Sequence, residues 1–149
     1  MKALSITAVC ALLFSACSHA GDYRFVEQLR MPDNHSTVVV AEGEHEPRSM
    51  GSYSIRLYGG QNPDFPLDDY QAGLIIARDG QVERLLNTDA DGDGTGEVVV
   101  VTRSAGSGGY LHADLFSWQN RQLKLLLQLS DLPPKADPLI EIKRVVRKK

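Results

Sequence analysis

Beyond residue 17 the chain contains no cysteine; its only two, Cys10 and Cys17, lie in the opening stretch. The remainder therefore has no disulfide and no thiolate site, and core packing must hold it together. A long apolar run is missing as well. Residues 3–14 are the nearest approach, too short to cross a bilayer as a helix, and no later segment reaches that length. Positive charge is not in excess, with 16 Lys and Arg against 19 Asp and Glu. Nucleic acid is a poor partner on that ground, because affinity for it rests on cations meeting phosphate. The basic residues Lys143, Arg144, Arg147, Lys148 and Lys149 are a local exception and read as a solvated tail. The four histidines, His19, His35, His45 and His112, show no spacing that sets a base beside a nucleophile, so nothing points to an enzyme.

The first twenty residues are of a different kind. Lys2 supplies a positive start, residues 3–14 an apolar centre, and Ser18-His19-Ala20 the small residues that a signal peptidase reads. Residues 1–20 thus read as a signal peptide and residues 21–149 as one domain, exported to the periplasm. A rival reading uses the same stretch: Leu13-Phe14-Ser15-Ala16-Cys17 resembles a lipobox, which would make Cys17 the lipidated end of an outer-membrane lipoprotein.

The rest of the chain is rich in short β-branched and alternating segments separated by turns. Strands are expected at residues 23–29, 36–41, 51–58, 73–77, 82–86, 97–102, 110–118 and 123–129, with residues 139–146 as a last one. In 51–58, Tyr53, Ile55 and Leu57 share one face, a period of two that marks a half-buried strand. Arg78-Asp79-Gly80-Gln81 reads as a tight hairpin turn. No helix longer than a turn or two is apparent. The expected fold is all-β: a single antiparallel β-sandwich or small barrel-like domain of about eight strands.

Two loops carry chemistry. In DADGDGTGE, Asp89, Asp91, Asp93 and Glu97 stand at positions one, three, five and nine, with Gly94 at the sharp turn and the Thr95 carbonyl as a further oxygen. Closely spaced carboxylates repel unless a hard cation sits among them, and oxygen ligands suit Ca2+. Position twelve is Val100 and the flanks read as strands, so this is no EF-hand. The plain alternative is a solvated connection in which Asp and Gly cap a turn. No cofactor is required on either reading. The second loop, Arg103-Ser104-Ala105-Gly106-Ser107-Gly108-Gly109-Tyr110, has three glycines in four positions, three hydroxyls and an arginine at its base. It has neither the lysine of a phosphate loop nor the spacing of a nucleophile elbow. A narrow loop of hydroxyls and one aromatic suits a partner's cleft, where hydroxyls donate to carboxylates. An ordinary long hairpin connection is the alternative.

The segments VVVAEGEHEPRSMGSYSIRLY (residues 38–58) and DADGDGTGEVVVVTRSAGSGGY (residues 89–110) resemble the bacterial periplasmic inhibitors of invertebrate-type (i-type) lysozyme. That resemblance implies an antiparallel sandwich-like domain, a homodimer, and a Ser/Gly/Tyr loop that enters the lysozyme cleft. On this chain the role falls to Ser104, Gly106, Ser107, Gly108 and Tyr110, with Arg103, Tyr58 and Arg121 as supporting contacts. Related inhibitors of c-type lysozyme place the tyrosine four residues after the serine of a Ser-Gly pair. Here Ser107-Gly108 stands three residues before Tyr110. A calcium-stabilised envelope binding or adhesion module is the competing function.

Overall fold

The valine-rich and alternating segments become two stacked antiparallel sheets of four strands each. The structure, a computed structural model, describes residues 24–148, so the expected signal segment and Cys17 lie outside the described residues. The first sheet runs β1 (Val26–Arg30), β2 (Thr37–Glu42), β3 (Met50–Tyr58) and β4 (Tyr70–Asp79). The second runs β5 (Gln81–Thr88), β6 (Glu97–Arg103), β7 (Leu111–Gln119) and β8 (Gln122–Leu132). Spatial order equals chain order in both, so each sheet is a simple meander. The expected all-β sandwich of about eight strands is what forms.

The inner faces meet in one apolar core. Val38, Val40, Tyr53, Ile55 and Leu57 enter it from the first sheet, and Val82, Leu85, Val98, Val100 and Phe116 from the second. Across it, the Tyr53 hydroxyl donates to Asp114 Oδ2 at 2.5 Å, and Gln128 donates to Asp114 Oδ1 at 3.0 Å. Burial and the Asp114 charge push the Tyr53 phenol well above its ordinary range, so Tyr53 stays a donor. A polar link thus ties β3 to β7 inside an otherwise apolar interface.

The outer face of the second sheet is covered too. Residues 139–146, expected as a strand, lie in helix α1 (Pro138–Val146). The local chemistry explains it: Asp137 accepts from the N–H groups of Leu139 and Ile140, and Pro138 stands in the first turn, where its missing N–H costs nothing. Ile142 is fully buried against Val99, Val101, Leu111, Ala113 and Leu115. With both faces covered, six of the seven β6 residues are buried, hence its unbroken valine run rather than alternation. β8 serves both layers through a bulge. Leu115 faces Leu127 and Phe116 faces Leu125, which leaves Leu126 unpaired and exposed. Leu123 and Leu125 therefore pack on the inter-sheet core, while Leu127 and Leu129 lie under the helix.

A second expectation fails at residues 78–81. β4 and β5 are not hydrogen-bonded neighbours, so the Asp79-Gly80 corner is no hairpin. The chain turns there from one sheet to the other. Gly80 has φ +95°, and its N–H donates to Ser49 O at 2.7 Å rather than to the strand it has just left.

In such a meander the turns alternate between the two ends of the sandwich. Residues 43–49, Gly80, 104–110 and 133–137 gather at one pole; residues 31–36, 59–69, 89–96 and 120–121 gather at the other. The two chemical loops are joined by β6 alone and stand roughly 20 Å apart at about 3.3 Å per residue.

If Asp137 starts α1 as described, Asp137→Ala will lower stability by about 1 kcal/mol in urea denaturation. An unchanged midpoint would show that the helix needs no cap.

Candidate functional site

The glycine-serine loop is built rather than slack. Its ends are closed by the Ser104 N–H donating to Tyr110 O at 2.8 Å and by Arg103 Nη1 donating to Gly109 O at 2.8 Å. Inside, the Gly109 N–H donates to Gly106 O at 3.0 Å, and the Gly106 N–H to Ser104 Oγ at 3.2 Å. Two glycines fit the shape of this loop. Gly109 has φ +55°, and a Cβ on Gly108 would lie 2.3 Å from the Tyr110 ring. Tyr110 packs over Gly108 yet stays 47% exposed, while Ser107 is exposed beside it. Ser104 is half-buried and its oxygen is used within the loop. Of the hydroxyls, Ser107 and Tyr110 are the two presented outward.

The base is fixed from β5 and from the corner. Glu83 holds Arg103 through both carboxylate oxygens, and the Arg103 hydrogen bond keeps the Glu83 carboxyl below its ordinary range. A Cβ on Gly80 would fall 1.9 Å from Arg103 O, so the inter-sheet corner presses directly on the loop base. A cleft of about 210 Å³ beside it is lined by Gln81, Val82, Glu83, Arg103, Ser104 and Ala105.

Beneath lies Arg78, whose side chain is wholly buried. It donates to the carbonyls of Ser52 (3.1 Å), Arg48 (3.1 Å), Pro47 (3.2 Å) and Gly80. Glu42, 3.7 Å away and also buried, accepts from the N–H groups of Val82 at 2.7 Å and Phe25 at 3.2 Å. Glu46 accepts from both the Ser52 N–H and its hydroxyl, which holds the Glu46 carboxyl below its ordinary range.

At the opposite pole the acidic loop brings oxygens of Asp89, Asp91 and Glu97 within 4.8 Å of one another. Asp93 is not of that group: it accepts from the Thr95 N–H at 2.7 Å and faces Gln119 at 3.5 Å. Asp89 also accepts from the N–H groups of Gly92 and Gly94, so the loop is partly self-capped. Glu97 is buried and accepts from the Ala90 N–H at 2.8 Å. Burial, assisted by the neighbouring carboxylates, raises its carboxyl above the ordinary range.

Residues 23–146 match the family model described as periplasmic lysozyme inhibitor of I-type lysozyme. The chain belongs to that family. It is similar to the crystal structure of PliI-Ah, the family's inhibitor from Aeromonas hydrophyla, at 41% identity over 79% of this chain and 98% of that one, with TM-score 0.74. It is likewise similar to Aeromonas hydrophila PliI solved in complex with Meretrix lusoria lysozyme, at 43% identity over 80% of this chain and 95% of that one, with TM-score 0.73. Curated protein sequences return no match. As a family of lysozyme inhibitors, its members act by binding and are not enzymes.

Within this lysozyme-inhibitor fold, the structure groups Arg103 with Ser104, Gly106, Ser107, Gly108 and Tyr110, as expected from the sequence. It does not bring Tyr58 or Arg121 to them. Tyr58 ends β3 and packs edge-on against Tyr70, and Arg121 lies in the β7–β8 turn; both are at the far pole. Sequence reasoning missed Arg78, Glu42, Glu46 and Glu83. For Arg78, the signal present was an arginine amid apolar residues on the inward-facing period of β4.

The raised Glu97 carboxyl has a definite sign. Between the ordinary carboxylate value and the raised one, the folded protein holds more protons than the unfolded chain, so stability falls as pH rises through that window. In EDTA, Glu97→Gln should therefore gain melting temperature over the parent, and gain more at pH 7 than at pH 4. A pH-independent difference would refute this.

Proposed function

We propose that this periplasmic protein inhibits i-type lysozyme by placing the 104–110 loop in the enzyme's cleft. The observation that carries the reading is the pre-built loop tip, with the Ser107 and Tyr110 side chains outward and bonds from Arg103, Ser104, Gly106 and Gly109 holding its shape. Lysozymes and other glycosidases cleave with paired carboxyl groups in a groove. The hydroxyls of Ser107 and Tyr110 donate to such carboxyls, and the tyrosine ring adds rigid contact area. Ser104, Gly106, Gly108 and Arg103 position that pair. Nothing in the loop resembles a sugar's glycosidic bond, so the enzyme has nothing to cut.

The test is titration of the purified protein against i-, c- and g-type lysozymes. Inhibition of the i-type enzyme is expected. Tyr110→Ala should weaken it by well over tenfold, since an anchor commonly contributes about 2 kcal/mol or more. Gly108→Ala should weaken it too, by displacing the ring. Full hydrolysis by all three enzymes at inhibitor excess would overturn the proposal; an unchanged inhibition constant in Tyr110→Ala would remove the loop from it.

The acidic loop supports a second, subordinate reading. We propose that Ca2+ bound by Asp89, Asp91 and Glu97 stabilises this turn, on the strength of their converging oxygens, without taking part in inhibition. Calcium at about 1 mM, the range of extracellular modules, should raise the melting temperature above that in EDTA. Equal melting temperatures would discard the site.

A further inference from the structure

The far pole carries a depression that the lysozyme reading does not use. It has a volume of about 390 Å³, at the small end of ligand-site sizes. Gln61, Asp69, Gln71, Trp118 and Arg121 line it. Asn34 and Ser36 line it too and are bonded to each other; the side chains of the other five make no hydrogen bond or ion pair with any described residue. The loop pole is the reverse, for there Arg78, Arg103, Glu42, Glu46 and Glu83 are all engaged.

Three of the five left-handed non-glycine residues described lie beside the same place, His45 and Asp131 being at the loop pole. The β7–β8 connection is Asn120-Arg121, with φ +53° and +59°. Two successive left-handed residues make the tight hairpin turn for which Asn-Gly is the favoured pair. Asparagine meets that preference, but arginine stands where glycine belongs, and its side chain lines the depression. His35 on the neighbouring turn is left-handed as well, at φ +60°. Strain of this kind concentrates where a side chain is needed for a ligand. On the floor, Gly59 makes room for Asp69: a Cβ there would lie 2.2 Å from Asp69 Oδ2 and 3.2 Å from Gln71 Nε2. Trp118 packs one side on the inter-sheet core and lines the depression with the rest.

The lining selects a ligand class. One arginine set against one carboxylate is no anion site, and a single carboxylate among amides is no cation site. The surface is too polar for an apolar peptide anchor. Two amides, a carboxylate and a guanidinium offer donors and acceptors in alternation, and an indole supplies a flat wall with its own N–H. That combination fits the hydroxyl-bearing ring of a saccharide. We infer that this depression binds a short saccharide, with Trp118 as its wall and Asp69, Gln61, Gln71 and Arg121 as its hydrogen-bonding groups. Because it lies at the pole opposite the 104–110 loop, saccharide and lysozyme can be held at once, and the inference stands apart from the lysozyme reading.

Trp118 is the chain's only tryptophan, so its fluorescence reports on this site directly. The probes are triacetylchitotriose, cellotriose and maltotriose, each titrated to about 10 mM so that even a millimolar Kd saturates. A saturable change with at least one is expected. Arg121→Gly, which removes the side chain while suiting the turn, and Asp69→Ala should each weaken it by about tenfold or more. Lysozyme inhibition by Arg121→Gly should equal that of the parent protein. No saturable change with any probe, a change that survives in both variants, or loss of inhibition in Arg121→Gly would overturn the inference.

Discussion

The loop pole depends on one buried ion pair. Arg78 and Glu42 are both shielded from water, a placement tolerable only when nearly every donor and acceptor finds a partner. Arg78 meets that condition with backbone carbonyls from the β2–β3 connection, from β3 and from the inter-sheet corner. Glu42 meets it with N–H groups from the segment before β1 and from β5. One pair of side chains thereby joins both sheets, the β2–β3 connection and the inter-sheet corner. The apolar core holds the sheets together; this pair decides how their ends are arranged.

That arrangement bears on binding. A glycine-rich loop ordinarily loses much conformational freedom when a partner seizes it. Here the loss is taken at folding, through the closing bond at Ser104, the Arg103 clamp and the Tyr110 ring lying over Gly108. On the proposed reading, affinity would then depend on what the tip touches rather than on the cost of ordering it. Composition alone leaves mobile and rigid glycine loops indistinguishable; the difference lies in Glu83 and Gly80, which are far from the loop in sequence and touch its base at Arg103.

Much of this was legible in the residues. Alternation in β3 named its buried face correctly, and the hydroxyl-rich loop stood out by composition. The misread elements have identifiable causes. Residues 139–146 form a short segment rich in β-branched residues, and the Asp137-Pro138 start with Leu139, Ile142 and Val146 at helical spacing was outweighed by the surrounding strands. Asp79-Gly80 has the chemistry of a hairpin, yet the same positive φ serves a corner between sheets. The position of Arg78 on the inward period of β4 was the one signal; its hydrogen-bond acceptors are backbone carbonyls, which carry no residue-type signature. The placement of Tyr58 and Arg121 needed only a count of strands: in a meander, the connections after β3 and β7 fall opposite the one after β6.

The two ends of the described chain also part company. Arg24 and Phe25 bond to Glu46 and Glu42 at the pole of the 104–110 loop, whereas Val146 finishes α1 next to Ala90 and Asp91 at the other extreme. An acyl anchor on Cys17 would stand seven residues before Arg24, a reach of no more than about 25 Å. A molecule moored that way would turn its 104–110 loop toward the membrane that holds it. One held from the α1 end would point that loop outward, so, on the proposed reading, the direction of attachment sets whether an arriving lysozyme meets it.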